Sequence, residues 1–111
     1  MQISTEELPG GVTRVRLDGR MDIAGAQSVD LKMNIVAGSA HRLLIDLEKV
    51  EFLGSMGLRS IVIPARAVHS RGGKVVLFAP TPMVESVLKT SGIDALLPVH
   101  HSLDAAIAAL E

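Results

Sequence analysis

The sequence predicts an α/β fold, with a mixed, mostly parallel sheet, an antiparallel edge strand and about four helices packed on it. Three observations carry that prediction. Leu43 to Leu47 and the run after Lys74 are short and almost wholly apolar, as expected of strands buried on both faces. From Leu58 the period changes, and Leu58, Ile61, Val62, Ala65 and Val68 fall on one face of a helix. Val12 to Leu17 alternates instead, the mark of a half-exposed strand. Strands and helices therefore alternate along the chain, which is the α/β order.

Composition sets the outer limits. A chain of 111 residues has length for one domain, residues 1–111, with a single core. Apolar residues make up 48%, too many for a disordered chain. The net charge is −1, from 11 basic and 12 acidic residues, which leaves no electrostatic footprint for nucleic acid. With two Phe and no Trp or Tyr, base-stacking platforms are not expected either. No Cys occurs, so disulfides, thiolate catalysis and cysteine metal sites are excluded. Met1-Gln-Ile-Ser-Thr-Glu-Glu lacks the basic-then-apolar pattern of a secretory signal, and no apolar run nears the roughly 20 residues that span a bilayer. A cytoplasmic location is the expectation.

Taken in order, Ile3 to Leu8 is a short edge strand closed by Pro9-Gly10-Gly11. Val12 to Leu17 pairs with it in antiparallel fashion, with Arg14 and Arg16 on a solvated face. Asp18-Gly19-Arg20 is expected to turn the chain, and Asp22 to cap the next helix. That helix runs from Ala24 to Ala37. Ala26, Val29, Met33 and Val36 form its buried face, Leu31 and Ile35 widen it, and Gly38 stands at C′. The central strand follows. Pro64 falls two turns into the second helix, where it removes a donor and is expected to introduce a kink. Arg71-Gly72-Gly73 ends that helix. Thr81 caps a third, with Pro82 at its first position and Met83, Val84, Val87 and Leu88 as its apolar face. Leu96 to Val99 is a short last strand, and a closing helix with Leu103, Ala106, Ile107 and Leu110 begins at Ser102. The adjoining His100 and His101 point in different directions on any element. They make a poor chelate pair and belong to a surface loop.

The chain is organised around its middle, where the apolar run ends and Gly54-Ser55-Met56-Gly57 leads into the second helix. A serine at that junction has two readings. It is a cap, worth about 1 kcal/mol, or it is a phosphorylation site whose phosphate would meet backbone N–H groups and the positive end of the helix dipole. A phosphate there would add a charge of roughly −1.5 to −2 to the surface.

Leu44-Ile-Asp-Leu, followed by Val50-Glu-Phe-Leu-Gly-Ser-Met-Gly-Leu-Arg-Ser-Ile, resembles the signature segment of STAS domains, the family of bacterial anti-sigma factor antagonists. The family pattern runs hydrophobic strand, Asp, hydrophobic pair, then Asp-Ser-x-Gly-Leu opening a helix. Its phosphorylated serine falls on Ser55, its glycine on Gly57 and its leucine on Leu58; its Asp before the serine is Gly54 here. Leu17-Asp-Gly-Arg-Met-Asp is similar to the family's Leu-x-Gly-x-x-Asp, and the order of elements matches over essentially the whole chain.

The resemblance implies a non-enzymatic binding module with no cofactor and no metal. Its partner face would comprise Asp22, Gly54, Ser55, Met56, Gly57, Arg59 and Ser60; Ile63, off the core face beside Arg59 and Ser60, is a further partner contact or an incidental surface apolar residue. With Ser55 unmodified it would bind an anti-sigma factor, commonly a serine kinase of the histidine-kinase-like ATPase type, and so regulate transcription. A metal-dependent serine phosphatase would reset it. A second reading stays open because of Gly54: a constitutive STAS scaffold or transporter-associated subunit in which Ser55 only caps. A receiver-like phosphoaspartate enzyme fits less well, since Asp46 lies inside its strand and no acidic pair precedes it at a strand end. No Walker loop, H-E-x-x-H or G-x-S-x-G elbow occurs.

Overall fold

The computed structural model describes residues 1–111. Ten elements follow one another: β1 (Gln2–Leu8), β2 (Val12–Met21), α1 (Ile23–Ser39), β3 (Arg42–Leu53), α2 (Ser55–Ser70), β4 (Lys74–Phe78), α3 (Pro82–Thr90), α4 (Ile93–Leu96), β5 (Val99–His100) and α5 (Leu103–Ala109). The five strands lie side by side in chain order. β1 and β2 are antiparallel, whereas β2/β3, β3/β4 and β4/β5 are parallel. This is the sheet expected from the residue pattern. The helix count rises to five because α4 adds a single turn.

Both faces of the sheet are covered, but unequally. Leu43, Ile45 and Leu47 of β3 join the larger apolar core, together with Val29 and Met33 of α1, Ile61, Ala65 and Val68 of α2, and Val84 and Leu88 of α3. Leu44, one residue out of step, faces the other way. There Val12, Val76 and Phe78 meet Ala106 and Leu110 from the α5 end of the chain.

The second face also holds Asp46, fully buried in the middle of β3. Arg14 donates to its Oδ2 from Nη2 at 2.6 Å and from Nε at 3.0 Å, and Arg16 Nε lies at 3.4 Å. The amide of Glu48 donates to Oδ1 at 2.9 Å. Arg14 is therefore not on a solvated face: its side chain keeps only 13% exposure, with its guanidinium 5.7 Å from the Phe78 ring centroid. A buried carboxylate needs such a partner, since desolvating an unpaired charge costs several kcal/mol.

Several boundaries differ from expectation, each for a local reason. β2 does not turn at Asp18-Gly19-Arg20 but continues to Met21, because the β2/β3 ladder absorbs irregularities at Arg16/Asp18 and at Gly19/Arg20. Gly19 has φ +125, a value that favours glycine, so it serves a bulge and not a turn. β3 accordingly runs on to Leu53, and the extra residues let Val50 and Leu53 return to the core. α1 passes through Gly38 and ends at Ser39, capped by Ala40. Leu31 and Ile35 are 72% and 63% exposed, since helical geometry sets Leu31 about 200° from Met33. Met83 is likewise exposed on α3. Leu96 closes α4, and His100 belongs to β5. α2 runs unbroken across Pro64, whose ring is buried.

Substitutions at the Arg14–Asp46 pair and at Gly57 test this architecture. Asp46→Ala leaves Arg14 without its main partner and should cost roughly 3–5 kcal/mol, read as a lower urea midpoint, while the paired change Arg14→Met with Asp46→Leu should restore most of that loss. Gly57 sits in the first turn of α2, where a Cβ would stand 2.6 Å from Met21 Cβ, 2.7 Å from its carbonyl and 2.9 Å from Leu53 Cδ1. Gly57→Ala should therefore destabilise by about 1–3 kcal/mol in the same assay.

Candidate functional site

β2 and β3 are parallel neighbours, and Met21 pairs with Leu53 at their ends. The segments that follow, Asp22 into α1 and Gly54 into α2, therefore emerge side by side at the carboxyl edge of the sheet. In open parallel sheets this edge is where functional crevices form. The amide of Gly54 donates to the carbonyl of Met21 at 3.0 Å and ties the two exits together.

Asp22 caps α1 as expected, its Oδ1 accepting from the Gly25 amide at 2.8 Å. Ser55 does not cap α2. Gly54 holds the N-cap position with extended dihedrals, and its carbonyl accepts the first helical bond from Leu58 at 2.9 Å. Ser55 is thus the first helical residue. Its side chain is exposed and makes no capping bond, so the hydroxyl is free of any structural duty. Glycine fits the cap because it leaves the half-buried Phe52 room: a Cβ on residue 54 would stand 3.2 Å from Phe52 Cε2.

Two adjoining hollows open around this point. One, of about 430 Å³, is lined by Asp22, Ile23, Phe52, Gly54, Ser55 and Met56. The other, of about 350 Å³, lies between α1 and α2 and is walled by Gln27, Asp30, Asn34, Met56, Arg59, Ser60, Ile63 and Pro64. Met56 lines both. Seven of the eight residues named from the sequence thus surround the two hollows, and Gly57 does not: it is buried beneath α2 against Met21 and Leu53. Ser60 is buried as well. Its Oγ lies 2.5 Å from Asp30 Oδ1 and 3.1 Å from the Met56 carbonyl oxygen, so it orients Asp30 from the floor of the groove. Ile63 and Arg59 are exposed on its rim.

Sequence reasoning missed Gln27, Asp30 and Asn34, although their spacing of three and four marks one face of α1. It also missed Arg20, whose guanidinium carbon sits 4.6 Å from the Phe52 ring centroid and whose Nε lies 3.9 Å from Asp22 Oδ2. The geometry can dock a partner across the two hollows and expose one hydroxyl to it. No group of three or more metal-ligating side chains occurs, and no helix is long and apolar enough to cross a membrane.

The chain is similar to known proteins over most of its length. Over 112 residues the chain is 27% identical to BtrV of Bordetella bronchiseptica, a candidate anti-sigma factor antagonist, covering all of this chain and 96% of that protein. It is 26% identical over 103 residues to an anti-sigma F factor antagonist of Paenibacillus polymyxa, covering 91% and 88% of the two chains. The crystal structure of an anti-sigma factor antagonist from Mycobacterium paratuberculosis superposes with a TM-score of 0.83 at 31% identity, covering 98% of this chain and 94% of that one. The STAS domain profile matches residues 2–106, and the chain belongs to the STAS family.

Proposed function

We propose that this protein is an anti-sigma factor antagonist, a binding module whose contact with its partner is switched by a phosphate on Ser55. The observation that carries the reading is the uncommitted hydroxyl of Ser55 at the first position of α2, exposed at the carboxyl edge of the sheet. The relatives named as anti-sigma factor antagonists support it. In the unmodified state Met56, Arg59 and Ile63 dock an anti-sigma factor in the cytoplasm, and sigma is released. The anti-sigma factor is a serine kinase of the histidine-kinase-like ATPase type. Its bound ATP supplies the phosphoryl group: the Ser55 Oγ–P bond forms as the bond between the β–γ bridging oxygen and Pγ breaks. ADP leaves, and the hydroxyl proton passes to a base of the kinase. A metal-dependent serine phosphatase hydrolyses the ester and resets the module, which itself catalyses nothing.

Magnitudes favour a switch by charge. Juxtaposing like charges across an interface costs several kcal/mol, and every 1.4 kcal/mol is tenfold in affinity. The helix dipole stabilises a phosphate by at most about 2 kcal/mol. It makes the modification tolerable to the fold, while repulsion from the partner does the switching.

One observation favours a second reading. Gly54 replaces the acidic residue of the family pattern, which suits a constitutive scaffold or transporter-associated subunit that no kinase addresses. Incubation with ATP and the cognate kinase, followed by intact-mass analysis, separates the two: a single added phosphate on wild type and none on Ser55→Ala supports the switch.

The affinity prediction is specific. Calorimetry against the anti-sigma factor should show Ser55→Asp binding at least about tenfold more weakly, with Ser55→Ala close to wild type. Both variants should keep their melting temperatures within a few degrees, because the Ser55 side chain makes no capping bond. Equal affinities for wild type and Ser55→Asp would remove the charge switch.

A further inference from the structure

Arg20 and Phe52 are cross-strand partners at the ends of β2 and β3. The arginine guanidinium lies on the aromatic ring, 4.6 Å from its centroid, and the ring lies against the bare backbone of Gly54. Phe52, Asp22 and Gly54 line the same hollow as Ser55. The cation therefore rests on Phe52 and lies close to Asp22, two residues that line the hollow with Ser55, and it is poorly paired. Its acidic neighbour is Asp22, at 3.9 Å with both side chains about half exposed, and Asp22 already spends Oδ1 on the Gly25 amide.

We infer that Arg20 is the counter-ion of a phosphate on Ser55, parked on Phe52 until the phosphate arrives; this rests on Ser55 being the residue that is modified. The chemistry is selective. A phosphoserine offers three acceptor oxygens and a charge of roughly −1.5 to −2, which the planar guanidinium fork can meet with two parallel hydrogen bonds. The carboxylate of Asp22, held by its cap, cannot compete for both. Pairing draws Arg20 away from Asp22 and spreads the local change from the first turn of α2 to the first turn of α1. Arg59 is the other cation within reach along α2, four residues on from Ser55. It lines the α1–α2 groove and not the hollow of Ser55, Phe52 and Asp22, whereas Arg20 contacts two residues of that hollow.

The test places phosphoserine at residue 55 during translation by stop-codon suppression, so that no kinase is needed. The second ionisation of the phosphate, ordinarily near pH 6, is then followed by ³¹P NMR. Arg20→Gln should raise its midpoint by roughly 0.5–1 pH unit, since a nearby cation favours the dianion. Arg20→Lys should recover part of that shift, and Arg59→Gln should leave the midpoint in place. The Arg20 Nε–H resonance of the otherwise wild-type chain gives a second readout that needs no substitution, and it should move between the serine and phosphoserine forms. An unmoved midpoint in Arg20→Gln, an unmoved Nε–H resonance, or a shift that follows Arg59 would overturn the assignment. Failure of a kinase to modify Ser55 would instead show as an unchanged intact mass, which leaves this measurement unaffected.

Discussion

Where β2 and β3 end, the amide of Gly54 donates to the carbonyl of Met21, and Gly57 brings the first turn of α2 into direct contact with Met21 and Leu53. Everything at the carboxyl edge depends on that junction. It fixes the height of α2 on the sheet, and with it the position of Ser55. It also holds the exits toward α1 and α2 side by side, so Asp22, Phe52 and Met56 wall a common hollow. The tolerance is a fraction of an ångström, because no side chain larger than hydrogen fits at residue 57. A glycine demanded by packing thus sits two positions from a serine that packing leaves alone.

The opposite face of the sheet follows a different logic. Only α5 covers it, and its smaller apolar cluster cannot shield the whole surface. The Arg14–Asp46 pair fills the gap with charge in place of hydrocarbon. Such a pair contributes less net stability than its Coulomb attraction suggests, because both groups had to leave water. Its value is geometric: Asp46 is joined to β2 through Arg14 and Arg16 and to its own strand through the Glu48 amide. These bonds hold the β2/β3 register just ahead of the irregular stretch that leads to the site.

Much of this was legible in the residues. The buried runs of β3 and β4, the alternation in β2, and the caps at Asp22, Thr81 and Ser102 follow from spacing and side-chain chemistry. What escaped was non-local. Asp18-Gly19-Arg20 has turn composition, and only its pairing with β3 shows that it is a bulged strand. Arg14 reads as a surface residue until Asp46 is seen across the ladder. Leu31 and Ile35 widen the apolar face in a way that fits either a deeply packed helix or a partly sticky one, and α1 shows them to solvent. At the site, Ser55 had the right chemistry for a cap, and a shift of one residue gave the cap to Gly54 and left the hydroxyl unoccupied.

Pro64 carries a last consequence. Having no N–H, it denies the carbonyl of Ser60 the bond that a helix would normally return from four residues ahead. Ser60 and Pro64 belong to the same wall as Asp30, whose carboxylate accepts the Ser60 hydroxyl, and as Gln27 and Asn34. The cleft between the two helices thus carries one carboxylate, two side-chain amides that donate as well as accept, and the Arg59 cation on its rim. A protein seated there meets donors and acceptors together and cannot merely bring apolar bulk, so the cleft selects by the pattern of polar groups as well as by shape.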